Sequence, residues 1–230
     1  MKSILIIFAK APEPGKVKTR LVPFLSEKEA AAMHEAFILD TLQLTDPLPL
    51  QRAIACTPTP DHLFFQQCGK GRAILFIQQE GGDLGERMEN AFQWGFSEGF
   101  EKIILLGSDT PTLPIAFIQE GLSRLDFSPW VIGPSLDGGY YLIGGTSPLP
   151  DLFSGIRWGE QEVLTKTLEK LDEQQTQCHL LPFWYDIDRP EDLAFLKSHI
   201  KLSIGQGISH PKETWKKIRG LAPLRRWENL

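Results

Sequence analysis

Hydrophobic positions along this chain alternate between two rhythms. Short apolar, β-branched runs at Ser3 to Ala9, Arg52 to Thr57, Ala73 to Gln78 and Lys102 to Gly107 have the length and composition of buried strands. Between them, Ser26 to Gln43 and Asp83 to Gly99 carry apolar residues at helical spacing, with Leu84, Met88, Ala91 and Phe92 on one face of the second. Both of these helices open on a capping signal, Ser26 with Glu29 and Asp83 with Glu86. Strand and helix in alternation predict a parallel sheet covered by helices. The rhythm changes after Leu125. Trp130 to Pro134 and Tyr140 to Gly144 flank Asp137-Gly138-Gly139 with too few residues between them for a crossover helix, so an antiparallel element is expected there. Glu160 to Glu173 reads as a helix, Cys178 to Tyr185 as a strand, and Pro190 to His199 as a helix whose proline falls in the first turn, where a missing N–H costs little. With no internal repeat and no linker before Lys201, the expectation is one α/β domain over residues 1–200 and a tail over residues 201–230.

Composition narrows the class. Hydrophobic residues make up 42% and charged residues 23% of the 230, which suits a folded domain and argues against disorder. No apolar run has the length of a membrane span, and Met1-Lys2-Ser3 leads into a strand without a small-residue cleavage site, so a cytoplasmic protein with no transmembrane segment is expected. Three widely spaced cysteines, Cys56, Cys68 and Cys178, do not form a disulfide framework or a zinc ribbon. The net charge of -5 conceals an asymmetry, because Lys201, Lys212, Lys216, Lys217, Arg219, Arg225 and Arg226 face only Glu213 and Glu228 in the tail. A basic end of this kind is expected to dock as a helix on the acidic body or on a second copy in a homodimer. Nucleic acid is not expected, since the body is acidic and lacks interleaved aromatic and basic residues.

The candidate chemistry lies in the loops that follow strands. The first strand runs through Ala9 into Lys10-Ala-Pro-Glu-Pro-Gly15-Lys16-Val-Lys18-Thr-Arg20, and a loop at the carboxyl end of a parallel strand is where open α/β sheets bind ligands. Four cations and a glycine backbone suit an anion, although neither a Walker A loop nor G-x-G-x-x-G is present. Ser108 and Asp109 follow the strand at Lys102 to Gly107, and one strand-end carboxylate with phosphate oxygens can hold Mg²⁺. Equally, Asp109 could be a turn residue ahead of Thr110-Pro111. Asp186 and Asp188, two apart in an extended segment, point to one side and could share an ion, while Asp188 with Glu191 also reads as a helix cap.

Two further loops are weaker. Gln79-Glu80-Gly-Gly-Asp83-Leu-Gly-Glu-Arg87 offers glycines and an arginine before a helix, and capping alone accounts for Asp83. Asp137-Gly138-Gly139-Tyr140 is either a hairpin turn or a substrate-binding loop with aromatic lining. His34, His62, His179, His199 and His210 have no metal-ligand spacing, and no nucleophile elbow occurs, so zinc and serine-hydrolase chemistry are not expected.

Five motifs in order, Phe8 to Leu21, Asp83-Leu-Gly-Glu-Arg87-Met, Gly107-Ser108-Asp109-Thr-Pro, Asp137 to Gly144 and Asp186-Ile-Asp188 to Leu193, resemble a family of GT-A-like transferases described as arsenosugar-biosynthesis glycosyltransferases or radical-SAM/selenodomain-associated transferases. The layout is also similar to 2-phospholactate and molybdenum-cofactor guanylyltransferases, although the G-G-x-S-x-R-M-G opening of the latter is missing. The resemblance implies a GT-A, Rossmann-like three-layer sandwich around a mostly parallel mixed sheet. It implies Lys18 and Arg20 on nucleotide phosphates, Asp109 on Mg²⁺ or Mn²⁺, and Asp186 or Asp188 as the second carboxylate. Ala9, Lys10, Gly15, Asp83, Arg87 and Ser108 are expected around the nucleotide, and Asp137, Gly138, Gly139 and Tyr140 around the acceptor, with Asp109, Asp137 and Lys18 carrying the chemistry. The expected reaction is glycosyl transfer from a nucleotide sugar to a small molecule. Nucleotidyl transfer from a triphosphate with release of pyrophosphate fits the same residues, and a non-catalytic nucleotide-binding regulator is the reading from another class.

Overall fold

The structure, a computed structural model, describes residues 2–22, 24–146 and 150–221. Its elements are β1 (Ser3–Lys10), a 3-10 turn (Thr19–Leu21), α1 (Glu27–Thr45), β2 (Gln51–Thr57), α2 (Leu63–Cys68), β3 (Leu75–Gln78), α3 (Leu84–Ser97) and β4 (Lys102–Gly107). They continue with α4 (Ile115–Arg124), β5 (Trp130–Pro134), β6 (Tyr140–Thr146), α5 (Val163–Glu173), β7 (Cys178–Leu180), α6 (Pro190–Gly205) and α7 (Lys212–Ile218). The residues fall into two compact units, one of residues 1–9, 48–107 and 114–185, the other of residues 10–47, 108–113 and 186–230.

The first unit holds a seven-stranded sheet in the order β3-β2-β1-β4-β6-β5-β7. β1 and β4 run parallel with Phe8 opposite Gly107, and β6 reverses between β4 and β5. β5 is again parallel to β7, so the carboxyl ends of β1, β4 and β5 share one edge of the sheet. The central strands are apolar on both faces because both are covered. On one face Ile4, Ile6, Ile103, Trp130 and Ile132 pack with Phe92 of α3 and Leu171 of α5, and the Phe92 and Trp130 rings meet edge to face at 5.2 Å. On the other, Gly121 of α4 lies against Ile104 and Val131, and a Cβ there would stand 3.6 Å from each.

Several expectations shift. The antiparallel element stands, as β5 and β6 joined by the Asp137-Gly138-Gly139 turn. The strand expected over Cys178 to Tyr185 pairs only to Leu180, with one further bridge between Trp184 and Ser135. Here Pro182 supplies no N–H for a ladder. The sequence reading placed no helix over α2 or α4, and it gave the helix expected in the tail no bounds.

The second unit is helical. Ser26 caps α1 by accepting the Glu29 N–H at 3.3 Å, while the Glu29 carboxylate accepts the Ser26 N–H at 2.9 Å. α6 continues to Gly205, and the basic segment then forms α7, which lies against α1. Arg225 and Arg226 lie outside the described residues. The join between α1 and α7 is specific: the Asp40 carboxylate, nearly buried on α1, accepts the backbone N–H groups of Glu213 and Thr214 at 2.9 and 2.6 Å. A carboxylate from one helix thus caps the amino end of another. Burial raises the Asp40 pKa above the ordinary carboxylate value, and the two N–H donors restrain that rise.

Candidate active site

In the second unit the loop after β1 turns back through Gly15, whose φ of 76° suits a residue without Cβ, and a Cβ there would stand 3.2 Å from the Glu27 carboxylate. Lys18 also adopts a left-handed backbone, φ 47° and ψ 39°, as the cap of the 3-10 turn. A lysine in that region costs on the order of 1 kcal/mol unless its surroundings hold it there. They do so through the side chain, which is only 4% exposed. Its Nζ lies 2.9 Å from Asp109 Oδ1 and 2.8 Å from Asp188 Oδ1, and it donates to the Ile187 carbonyl at 2.6 Å. The ammonium thus donates hydrogen bonds to Ile187 and Asp188 and pairs by charge with Asp109.

Asp109 stands two residues past β4 and Asp188 just before α6, so one ammonium ties together three distant stretches of chain. The Ile187 N–H donates to the Asp109 carbonyl at 3.0 Å, fixing the two carboxylate-bearing segments side by side. Arg20 reaches Asp188 Oδ2 at 3.3 Å. Burial by itself raises the Asp109 carboxyl, but the charge of Lys18 and the contact with His34 hold it well below the usual carboxylate range. For Lys18 burial acts to lower the pKa, and the two carboxylates outweigh it and raise the ammonium above its ordinary value. Both groups are therefore charged at neutral pH.

Asp188 is not the cap of α6. Arg189 is the cap, and Asp192, in the first turn, accepts the N–H groups of Asp188 and Arg189 at 3.0 and 2.7 Å, which leaves the Asp188 carboxylate to the cations. Asp186 and Asp188 bring carboxylate oxygens within 4.8 Å of each other, as their extended two-residue spacing predicts. Lys10, Lys16, Lys18, Arg20, His34, Asp109 and Asp188 line a pocket of about 270 Å³. Among the described residues no ion pair reaches Asp109 Oδ2, and the side chain is 42% exposed. A carboxylate held ionised with an oxygen to spare, sharing Lys18 with the Asp188 carboxylate, fits a hard divalent cation, which takes oxygen ligands.

His34 is the residue that sequence reasoning missed. It sits on α1, its Nε2 3.0 Å from the Lys10 carbonyl and its Nδ1 3.6 Å from Asp109 Oδ1. With Nε2–H donating to Lys10, Nδ1 faces the carboxylate and has no hydrogen-bond partner among the described residues. Zinc-ligand spacing was the wrong test for this histidine. The informative signal is a polar residue among Ala30, Ala31, Met33, Ala36 and Phe37, all buried on α1.

Ser108, buried beside Asp109, belongs to the second unit, and the remaining candidates belong to the first. Ala9 ends the part of β1 in that unit, and its carbonyl accepts from the Gln79 side chain at 3.3 Å. Asp83 caps α3 by accepting the Glu86 N–H at 2.9 Å, and Arg87 donates to the Gly81 carbonyl at 3.0 Å, so both shape the loop before α3. Asp137 accepts the Gly139 N–H at 2.9 Å. Gly138 has φ 92°, and a Cβ there would come within 2.0 Å of the Gln161 carbonyl, so the turn demands glycine irrespective of any ligand. Tyr140 packs edge to face on Trp158, and burial pushes its phenol far above the ordinary value.

The family described as "Uncharacterized protein conserved in bacteria (DUF2064)" matches residues 40–160. The chain belongs to this family. This DUF2064 protein is 38% identical to a proposed nucleotide-diphospho-sugar transferase from Desulfovibrio desulfuricans G20, over 99% of both chains, with a TM-score of 0.88. A cytidylyltransferase from Leptospira borgpetersenii serovar Hardjo-bovis (strain JB197) covers 97% of the DUF2064 chain and 96% of its own at 15% identity and a TM-score of 0.59. The 4-diphosphocytidyl-2C-methyl-D-erythritol synthase of Anaerococcus prevotii DSM 20548 covers 87% and 96% at 10% identity, with the same TM-score of 0.59. At these lower identities the likeness is one of fold, and it assigns the DUF2064 sheet to the class shared by nucleotide-diphospho-sugar transferases and cytidylyltransferases. No curated protein matches the chain.

Proposed function

We propose that this chain is a divalent-cation-dependent transferase that binds a nucleotide sugar by its diphosphate and passes the glycosyl group to a small-molecule acceptor. One observation carries the reading: Lys10, Lys16, Lys18 and Arg20 line one pocket with two carboxylates, Asp109 and Asp188, that their neighbours keep within ion-pair distance of Lys18. An anion-binding rim beside oxygen ligands for a hard cation is what a metal–diphosphate complex requires. The choice of a nucleotide sugar is supported by the 38% identity to the Desulfovibrio protein.

Asp109, with Asp186 or Asp188, would hold Mg²⁺ or Mn²⁺. When bound, the cation neutralises charge that develops on the departing diphosphate. The protein's own part is to fix the phosphates with Lys10, Lys16 and Arg20 and to keep Asp109 ionised through Lys18 and His34. As the acceptor oxygen bonds to the anomeric carbon, the carbon–oxygen bond to the diphosphate breaks, and the acceptor proton passes to a base. Asp137 and Glu80 are the carboxylates we propose for that base. Ala9, Gly15, Asp83, Arg87 and Ser108 are proposed for the nucleotide, and Gly138 to Tyr140 for the acceptor, each to be tested by substitution.

A thermal-shift panel with Mn²⁺ tests the reading. A nucleotide sugar at 100 times its Kd stabilises by about 2.7 kcal/mol, a rise in Tm on the order of 5–10 °C for a chain of this length. The rise should vanish in Asp109→Ala. A rise with triphosphates alone would assign nucleotidyl transfer instead, and no rise with any nucleotide would sink the donor site.

A further inference from the structure

The carboxylates of the pocket already have a cation. Of the four carboxylate oxygens on Asp109 and Asp188, Lys18 engages one on each residue and Arg20 takes a third, leaving Asp109 Oδ2 as the one outside any ion pair among the described residues. A divalent cation entering on that oxygen would gain one carboxylate, and it could recruit Asp188 only by displacing Lys18 or Arg20. The Lys18 ammonium is not a loose surface charge that drifted there. Its backbone is left-handed, its side chain is buried, its Nζ stands over the Phe37 ring 5.7 Å from the centroid, and it donates to the Ile187 carbonyl.

From this geometry we infer that Lys18 is a resident counter-cation that competes with the metal, yielding Asp109 and Asp188 only when phosphate oxygens offer its ammonium new partners. The inference rests on the proposed metal–diphosphate site and adds a property to it: metal and donor bind with positive coupling, each weak without the other. Linkage makes this reciprocal, so a donor that raises the affinity for metal by a given factor is itself bound more tightly by that factor when metal is present.

The test measures Mn²⁺ alone, by the electron paramagnetic resonance of the free ion, against wild-type protein, Lys18→Met, Lys18→Arg and Asp109→Asn. With its competitor removed, Lys18→Met should bind Mn²⁺ at least about tenfold more tightly than wild type, whereas Lys18→Arg, which keeps the charge, should stay within about threefold. Binding by Lys18→Met that equals or falls below wild type, with wild-type binding lost in Asp109→Asn, overturns the competition and leaves the metal site standing. No Mn²⁺ bound by any variant overturns both, and a nucleotide-induced thermal shift without metal would then preserve donor binding alone. Where Lys18→Met fails to fold, the lysine ammonium NMR signal that disappears in Lys18→Arg decides on the wild-type chain. Mg²⁺ should shift or broaden it, and a signal that stays put while Mg²⁺ binds overturns the inference.

Discussion

Lys18 is where sequence and structure differ most in meaning. The loop composition marks it as a solvated cation or a phosphate ligand, yet it is buried and carries two ion pairs. Replacing it with methionine leaves Asp109 and Asp188 without their shared counter-charge. Such a loss costs about 3–5 kcal/mol for a fully buried pair, and about 2 kcal/mol here because the carboxylates are 42% and 32% exposed. The pH dependence follows from the two shifts. Lys18 is raised when folded, so its contribution is whole below 10.5 and is lost as pH climbs through the folded value above that. Asp109 is depressed when folded, so its contribution is whole above 3.8 and is lost as pH falls through the folded value. Urea melts of wild type and Lys18→Met should therefore differ by a constant amount between these limits and converge beyond either. His34, by contrast, shows itself in the sequence only as a polar residue among the apolar positions of α1, because its two partners, Lys10 and Asp109, are not near it in sequence.

At the scale of elements, what was legible was whatever depends on neighbours along the chain. The capping box of α1, the Asp83 cap of α3, the burial of β1 and β4, and the tight turn at Asp137 all follow from local rules, and all are present. α4, which no sequence signal marked, and α7, expected in the tail but without bounds, lack such signals. α4 buries only Ile118 and Gly121, and α7 has seven residues, of which Thr214 and Ile218 are buried. α7 is held by Asp40, from 173 residues away, a dependence that no window of sequence displays. Asp40→Ala should remove the acceptor for two N–H groups and cost about 2 kcal/mol, with amide exchange rising in α7 before the rest of the second unit. The raised pKa of Asp40 adds a sign: folding favours its protonated form, so that group's contribution improves as pH falls through the folded value toward 3.8.

Across the whole molecule, the sheet and the pocket both join separated segments, and the pocket joins the more remote ones, since β1 pairs with β4 while Lys18 reaches Asp188. β1 and β4 end at one edge, and placing Lys10 at the end of the first and Asp109 just past the second required only the strand pattern and the rule that ligands gather at carboxyl ends. Pairing Lys18 with Asp188 required tertiary structure, since 170 residues separate them. That separation has a consequence for how the molecule comes into being. Contacts so distant in sequence form only after long loops close, and they form late. In pulsed hydrogen exchange during refolding, the amides of β1 and β4 should gain protection before those of α1 and α7. A chain still emerging from the ribosome can thus complete most of its strands while Lys18 waits, in a backbone conformation it does not favour, for partners that have yet to be synthesised.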